Sequence, residues 1–225
     1  MNKLVKLSVA TSLIFGVFSI AQATIITTIE GDGTVSTQVS GATTIDFEGS
    51  GSITGETDCS SIAYTCSGDY QIRESNGIVN QSAAPFMATP IGEDWLTVPN
   101  PISNGSATFD LGADYDYFGM FWGSIDSYNT IEFYNDDVLQ GGFTGDSFIP
   151  TLESDGGQGD WASNRFINFF FTDGMAYDSI KLSSTSFAFE TDNHAYGNVS
   201  VPEPSILALL SLGLFGLGLS RRKRI

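Results

Sequence analysis

Cationic side chains are scarce in this 225-residue chain: nine Lys and Arg stand against 26 Asp and Glu, with a single His. The shortage is sharper in the middle. Lys3 and Lys6 open the chain and Arg221, Arg222, Lys223 and Arg224 close it. Only Arg73, Arg165 and Lys181 remain between residues 24 and 201, against 25 acids, for a net charge near −22. Such a surface repels polyanions, which excludes nucleic acid as a partner; it suits a solvated extracellular domain, or cation binding. Catalytic signatures are lacking too: there is no Gly-x-Ser-x-Gly elbow, no Walker A loop, no dinucleotide fingerprint after a strand and no zinc motif. A Ser-His-Asp triad would have to use His194, which reads instead as a strand-end residue without a catalytic role. Glycosidase carboxylate pairs are defined by spatial separation, and in a chain with acids throughout no pair stands out. There are only two cysteines, Cys59 and Cys66. In an exported chain they predict one disulfide closing a short loop; no second Cys pair or nearby His completes a metal site.

Long apolar runs occur only at the two ends. Lys3 and Lys6 precede an apolar run over residues 7–20, and Ala21-Gln22-Ala23 follows. This order predicts a helical secretory signal over 1–23, cut after Ala23 by signal peptidase. The alternative, a permanent N-terminal anchor, is disfavoured by the short run and the cleavage site. At the other end, Val201-Pro202-Glu203-Pro204-Ser205 precedes an uncharged run over 206–219 and then the basic cluster. As a helix, fourteen residues reach about 21 Å, a minimal span for a core of about 30 Å that snorkelling arginines extend. The basic cluster stays cytoplasmic by the positive-inside rule and the main domain lies outside.

The order Pro202-Glu203-Pro204, short apolar helix, then Arg221, Arg222 and Arg224 resembles the PEP-CTERM sorting signal. The resemblance implies that 201–225 is a sorting segment with a single transmembrane helix. It also implies recognition by an exosortase in the inner membrane, cleavage near the motif, and delivery to the cell surface or extracellular matrix. Bacteria with this system usually also make exopolysaccharide, a candidate partner.

Residues 24–200 have little helical periodicity and form one domain. Thr44-Ile45-Asp46-Phe47-Glu48, Thr130-Ile131-Glu132-Phe133-Tyr134, Ser179-Ile180-Lys181-Leu182 and Ser186-Phe187-Ala188-Phe189-Glu190 alternate as half-buried strands. Asn135-Asp136-Asp137 reads as a turn, with 138–143 returning as a hairpin. The runs 117–122 and 166–171 are nearly continuous and read as buried on both faces or as central strands of a sandwich. Ten or more strands without crossover helices predict an all-β antiparallel sandwich, jelly-roll-like. Residues 24–41 read as an edge strand or loose arm, and 152–163 as a surface loop carrying Trp161, long enough to be functional. Over stretches such as Ile45-Asp46-Phe47-Glu48-Gly49, Asn164-Arg165-Phe166-Ile167-Asn168-Phe169-Phe170 and Phe187-Ala188-Phe189-Glu190-Thr191-Asp192-Asn193, the body is similar to a recurring ectodomain of exosortase-dependent surface proteins. It is similar in style to the terminal strands of carbohydrate-binding sandwiches. No catalytic residue transfers from that resemblance.

Candidate sites are few. If Thr44–Glu48 pairs with Phe187–Asp192, the outward acids Asp46, Glu48, Glu190 and Asp192 crowd one patch beside Asn193. Like charges across a strand pair repel, and a structural calcium held by Glu48, Asp192 and Asn193 would relieve them; otherwise they solvate an outer face. Asp155 with Asp160 lacks the spacing of an EF-hand and reads as loop. Trp95 and Trp161 are the rings placed to stack on a sugar, whereas Trp122 reads as core. Arg73 and Arg165 read as partners of acids on neighbouring strands, Arg165 alternatively of an acidic sugar. The expectation is a non-enzymatic surface or matrix protein associated with exopolysaccharide; the alternatives are a dedicated carbohydrate-binding module and, last, a glycan-acting enzyme.

Overall fold

A computed structural model describes residues 23–48, 59, 63–74, 81–87 and 93–199. The signal segment and the sorting segment, with Pro202, Glu203, Pro204, Arg221, Arg222 and Arg224, lie outside the described residues. Among the described residues, no helix is long and apolar enough to cross a membrane.

Among the described residues twelve strands form, in order β1 (Ile25–Ile29), β2 (Thr43–Ile45), β3 (Thr65–Gly68), β4 (Gln71–Glu74), β5 (Asp94–Val98), β6 (Gly105–Tyr115), β7 (Tyr117–Gly123), β8 (Asn129–Asn135), β9 (Val138–Thr144), β10 (Arg165–Phe171), β11 (Tyr177–Ser184) and β12 (Phe189–Gly197). They build two antiparallel sheets. One runs β1-β10-β7-β12-β5-β4, with β2 also beside β12; the other runs β3-β6-β11-β8-β9. The β8–β9 hairpin closes through Asp136 and Asp137, both left-handed (φ 47° and 63°). Two such residues match the right-handed twist of the strands they join.

Facing residues of the two sheets share one apolar core. Ile72, Leu96, Trp122 and Phe169 come from the seven-stranded sheet, and Phe109, Ile131, Phe133 and Leu182 from the other. Phe133 packs on Phe169 at 5.0 Å and edge-on to Phe118 at 5.7 Å. Each fully buried ring of this kind contributes about 1.5–3 kcal/mol, and the offset geometries add to that. Trp122 stacks on Phe189 at 4.3 Å inside this core.

β7 is buried at every position because its other face is covered as well. Tyr117, Phe121, Phe166 and Ala195 form a second apolar cluster on the outer side of the seven-stranded sheet, closed by Val35, Val39, Ala42, Trp161 and Val199. The N-terminal arm after β1 therefore lies on the sheet. Thr37 Oγ1 meets the Tyr117 hydroxyl at 2.6 Å, and Arg165 holds the arm through an ion pair with Asp32.

Two strand expectations shift. β12 begins at Phe189 rather than Ser186, and β2 pairs with His194–Tyr196 in the register Ile45↔His194, not with 187–192. The reason is competition for one edge: Phe189–Thr191 is already paired with β5. A bulge between Asp192 and Ala195, with Asn193 left-handed at φ 51°, lies where β12 exchanges one neighbour for the other.

Both chain ends leave the seven-stranded sheet at one pole. Ile25 lies opposite Phe171, Phe170 opposite Tyr117, and Tyr117 opposite Gly197. Three strand spacings, about 14 Å, separate the start of β1 from the end of β12.

Candidate functional site

Polar residues inside this molecule concentrate on the outer face of the seven-stranded sheet, at the pole opposite the chain ends. Alternation puts Ile72, Leu96, Val98, Trp122 and Phe189 inward and so turns Gln71, Arg73, Trp95, Thr97, Glu190 and Gly123 outward. Register lines them up: Gln71↔Thr97, Arg73↔Trp95, Glu190↔Thr97 and Glu190↔Gly123. An outward row should be wet, yet Trp95 is 1%, Thr97 0% and Glu190 3% exposed.

A strap, residues 81–87, crosses the row. The Arg73 guanidinium donates to Gln81 Oε1 at 3.5 Å, as well as to Gln71 Oε1 (2.7 Å) and Asn100 Oδ1 (3.0 Å). Asn100 Nδ2 donates to the Gln81 carbonyl (3.4 Å). The Ala83 N–H donates to Glu190 Oε1 (2.9 Å) and the Phe86 N–H to Asn164 Oδ1 (3.4 Å). Pro85 sits on Gly123, where an added Cβ would lie 2.8 Å from Pro85 Cβ and 2.9 Å from its Cα. Only glycine admits the strap there. The strap ends with Phe86 edge-on to Trp161 at 5.3 Å.

The polar balance under the strap is incomplete. Among the described residues, five buried side-chain atoms lack a hydrogen-bond partner: Arg73 Nε, Ser82 Oγ, Trp95 Nε1, Ser124 Oγ and Trp122 Nε1. The first four lie in the strap, in the row or next to it. Such atoms cost about 1–3 kcal/mol each. Burial pushes the Glu190 carboxyl well above the usual range, with a smaller push from Asp126, and the Ala83 N–H works against both. Burial likewise lowers the Arg73 guanidinium.

The loop after β9 forms the far wall and is no loose excursion. Asn164, fully buried, accepts from the N–H groups of Ser124 (2.8 Å) and Phe86 and donates to the carbonyls of Gly157 (2.7 Å) and Asp160 (2.8 Å). One amide thus ties β7's exit, the strap and the loop together. Asp155 pairs with Asp126 in an isolated bridge and accepts from the Ser163 hydroxyl at 2.8 Å.

The sequence-derived candidates distribute as follows. Cys59 and Cys66 are joined, Cα to Cα 5.9 Å. Opening a loop this short should cost about 2.5 kcal/mol in the chain-entropy model, seen as a lower urea midpoint after reduction. Trp95 is buried and offers no face to solvent. Trp161 is half-buried against Phe86 and Phe121 and roofs the arm side of the sheet. The acids expected together take different hydrogen-bond partners. Glu190 is buried under the strap, while Glu48 Oε1 accepts the Asp94 N–H at 2.8 Å and hydrogen-bonds Glu93, whose carboxyl rises first through that bond and then through the Glu48 charge. Asp192 accepts from Asn193, its neighbour, at 2.6 Å. Among the described residues, no group of three or more His, Cys, Asp or Glu is arranged to hold a metal ion. Among the described residues Arg73 bonds to the amide oxygens of Gln71, Gln81 and Asn100; Arg165 does take an acid, Asp32, on the arm rather than on a strand. His194 is not at a strand end. It is fully buried in β12, with Nδ1 3.0 Å from the Tyr64 hydroxyl and Nε2 3.0 Å from Thr191 Oγ1, and burial lowers it to about 3.

Sequence reasoning missed Asn164, Asn100, Gln71 and Gly123. None stands in a recognisable motif, and only the strap's course makes them neighbours.

No curated protein matches the chain. The solved structure of CpGH89CBM32-6 produced by Clostridium perfringens overlaps 58% of this chain and 93% of its own at 13% identity and a TM-score of 0.29, a likeness too slight to carry an argument. The family match falls at the C-terminus, where residues 200–223 fit the PEP-CTERM protein-sorting motif. An antiparallel all-β domain whose last strand ends at Gly197 thus runs directly into that motif, and the chain carries a PEP-CTERM sorting signal.

Proposed function

We propose that this is an exported protein that an exosortase cuts at its C-terminal signal and releases to the cell surface or extracellular matrix. There it serves without catalysis, in association with exopolysaccharide. The match of residues 200–223 to the sorting motif carries the reading. The fold supports it. The start of β1, just after the expected signal cleavage, and the end of β12, just before the tag, share one pole. The N-terminal signal and the C-terminal segment can therefore enter the same membrane without threading past the domain. The opposite pole, with the strap and the Trp161 loop, points away from the attachment. The second reading, a carbohydrate-binding module, is favoured by the polar row under the strap. A structural calcium held by Glu48, Asp192 and Asn193 is not part of this proposal.

Cell fractionation with intact-mass analysis tests it, comparing wild type with a variant carrying Pro202→Ala, Glu203→Ala and Pro204→Ala. Wild type should be surface-bound or released without its tail, and the variant should stay in the inner membrane at full mature length. Retention of residues 205–225 in both would refute sorting.

A further inference from the structure

We propose that the row beneath the strap is a glycan-binding groove for neutral, hydroxyl-rich sugar residues, opened when residues 81–87 lift from the sheet. The inference rests on the exopolysaccharide reading above and gives it a location.

Four observations support it. First, the row mixes fixed donors and acceptors along one line. Arg73, Trp95 and Ser124 supply unpartnered polar atoms; Gln71, Asn100 and Glu190 supply oxygens now spent on Arg73 and on strap N–H groups. Sugar hydroxyls donate and accept at once and fit such a mixture. Secondly, Trp95 lies in the same outward row, next to Arg73 in the register, and supplies an apolar stacking surface. Thirdly, the row and its surroundings carry orphaned polar atoms, a cost that a hydroxyl-bearing ligand removes. Fourthly, the described ties between strap and row are hydrogen bonds that hydroxyl groups can take over: Arg73 and Asn100 to Gln81, the Ala83 N–H to Glu190 and the Phe86 N–H to Asn164. The domain's charge near −22 selects a neutral glycan over a uronate or sulfate polymer. Once the strap lifts, the groove crosses β4, β5, β12 and β7, long enough for a chain rather than a single sugar.

A groove that is open part of the time binds with an affinity reduced by the open fraction. Gly123→Ala puts a methyl against the Pro85 backbone and leaves every groove side chain intact. Ala83→Pro deletes the N–H that bonds Glu190 and loosens the strap at a separate point. The experiment titrates neutral gluco-, manno- and galacto-oligosaccharides of about six residues into wild type and both variants by calorimetry. In parallel, amide hydrogen exchange is read at Phe86, and folding by circular dichroism. At least one folded variant should exchange faster at Phe86 and bind one of these glycans about tenfold or more tighter than wild type. Arg73→Met added to that variant should remove the binding. A folded variant with faster Phe86 exchange but no glycan binding overturns the groove, as does binding indifferent to Arg73→Met. Wild type that co-sediments with neutral exopolysaccharide regardless of Gly123→Ala and Arg73→Met would keep the association reading and overturn the groove. Tight, Arg73-dependent oligosaccharide binding without co-sedimentation would do the reverse.

Discussion

His194→Ala should lower the unfolding free energy by about 3–4 kcal/mol at neutral pH, and the melting temperature by roughly 10 °C for a domain of this size. The imidazole is fully buried, edge-on to Phe47 at 4.9 Å and Phe118 at 5.3 Å. Its two nitrogens are both used, and the partners fix the tautomer. Thr191 Oγ1 donates to the Phe121 carbonyl at 2.9 Å, so its hydroxyl proton is spent and it accepts from Nε2–H. Nδ1 then accepts from the Tyr64 hydroxyl, itself fully buried and shifted upward by burial. Alanine leaves a void and orphans Tyr64. The same residue sets a pH dependence. Its folded value, about 3, lies below the ordinary 6.5 of the unfolded chain, so the unfolded state binds the extra proton. The contribution is fully present above about pH 6.5 and is lost progressively as pH falls towards 3, at up to about 1.4 kcal/mol per unit. Glu190 acts in the opposite direction, because its raised carboxyl favours the folded state below the unfolded value of 4.5 and disfavours it above. Urea unfolding of wild type and His194→Gln between pH 4.5 and 7.5 separates the two. The difference between the proteins should shrink towards acid, and a constant difference would mean that the imidazole does not stay neutral.

Asn164→Ala should cost a similar amount, about 3–5 kcal/mol, because four backbone groups in three segments lose their partner in a dry site. Asn164→Asp is the sharper variant. It keeps the shape but replaces the Nδ2 donor, which now serves the carbonyls of Gly157 and Asp160, by an oxygen that repels them. It should destabilise as much as alanine, and the loss should ease below the carboxyl's titration range as protonation restores one donor. Thermal unfolding at pH 4 and pH 7 reads this directly. A variant as stable as wild type at pH 7 would remove Asn164 as the tie between strap and loop.

What the sequence by itself determined is what depends on near neighbours. The pattern at 129–143 contains its own hairpin, because alternation and two left-handed Asp residues need no distant partner. Two cysteines admit one intramolecular pairing. The Pro-Glu-Pro motif, apolar run and basic tail follow one another within a few tens of residues, so the sorting motif is legible without a fold. The continuous run at 117–122 left two readings, a strand covered on both faces or one central in a sandwich, and the covered strand is what forms. What covers them was decided only in the tertiary structure, since the arm and the strap are irregular chain with no periodicity to announce a third layer. The strap turns Glu190 from a surface candidate into a buried group. Competition between β5 and β2 for one edge of β12 likewise moved the register, so that β2 lies beside 194–196 rather than 187–192. Alternation says which side chains share a face; whether that face meets water depends on a distant segment crossing it.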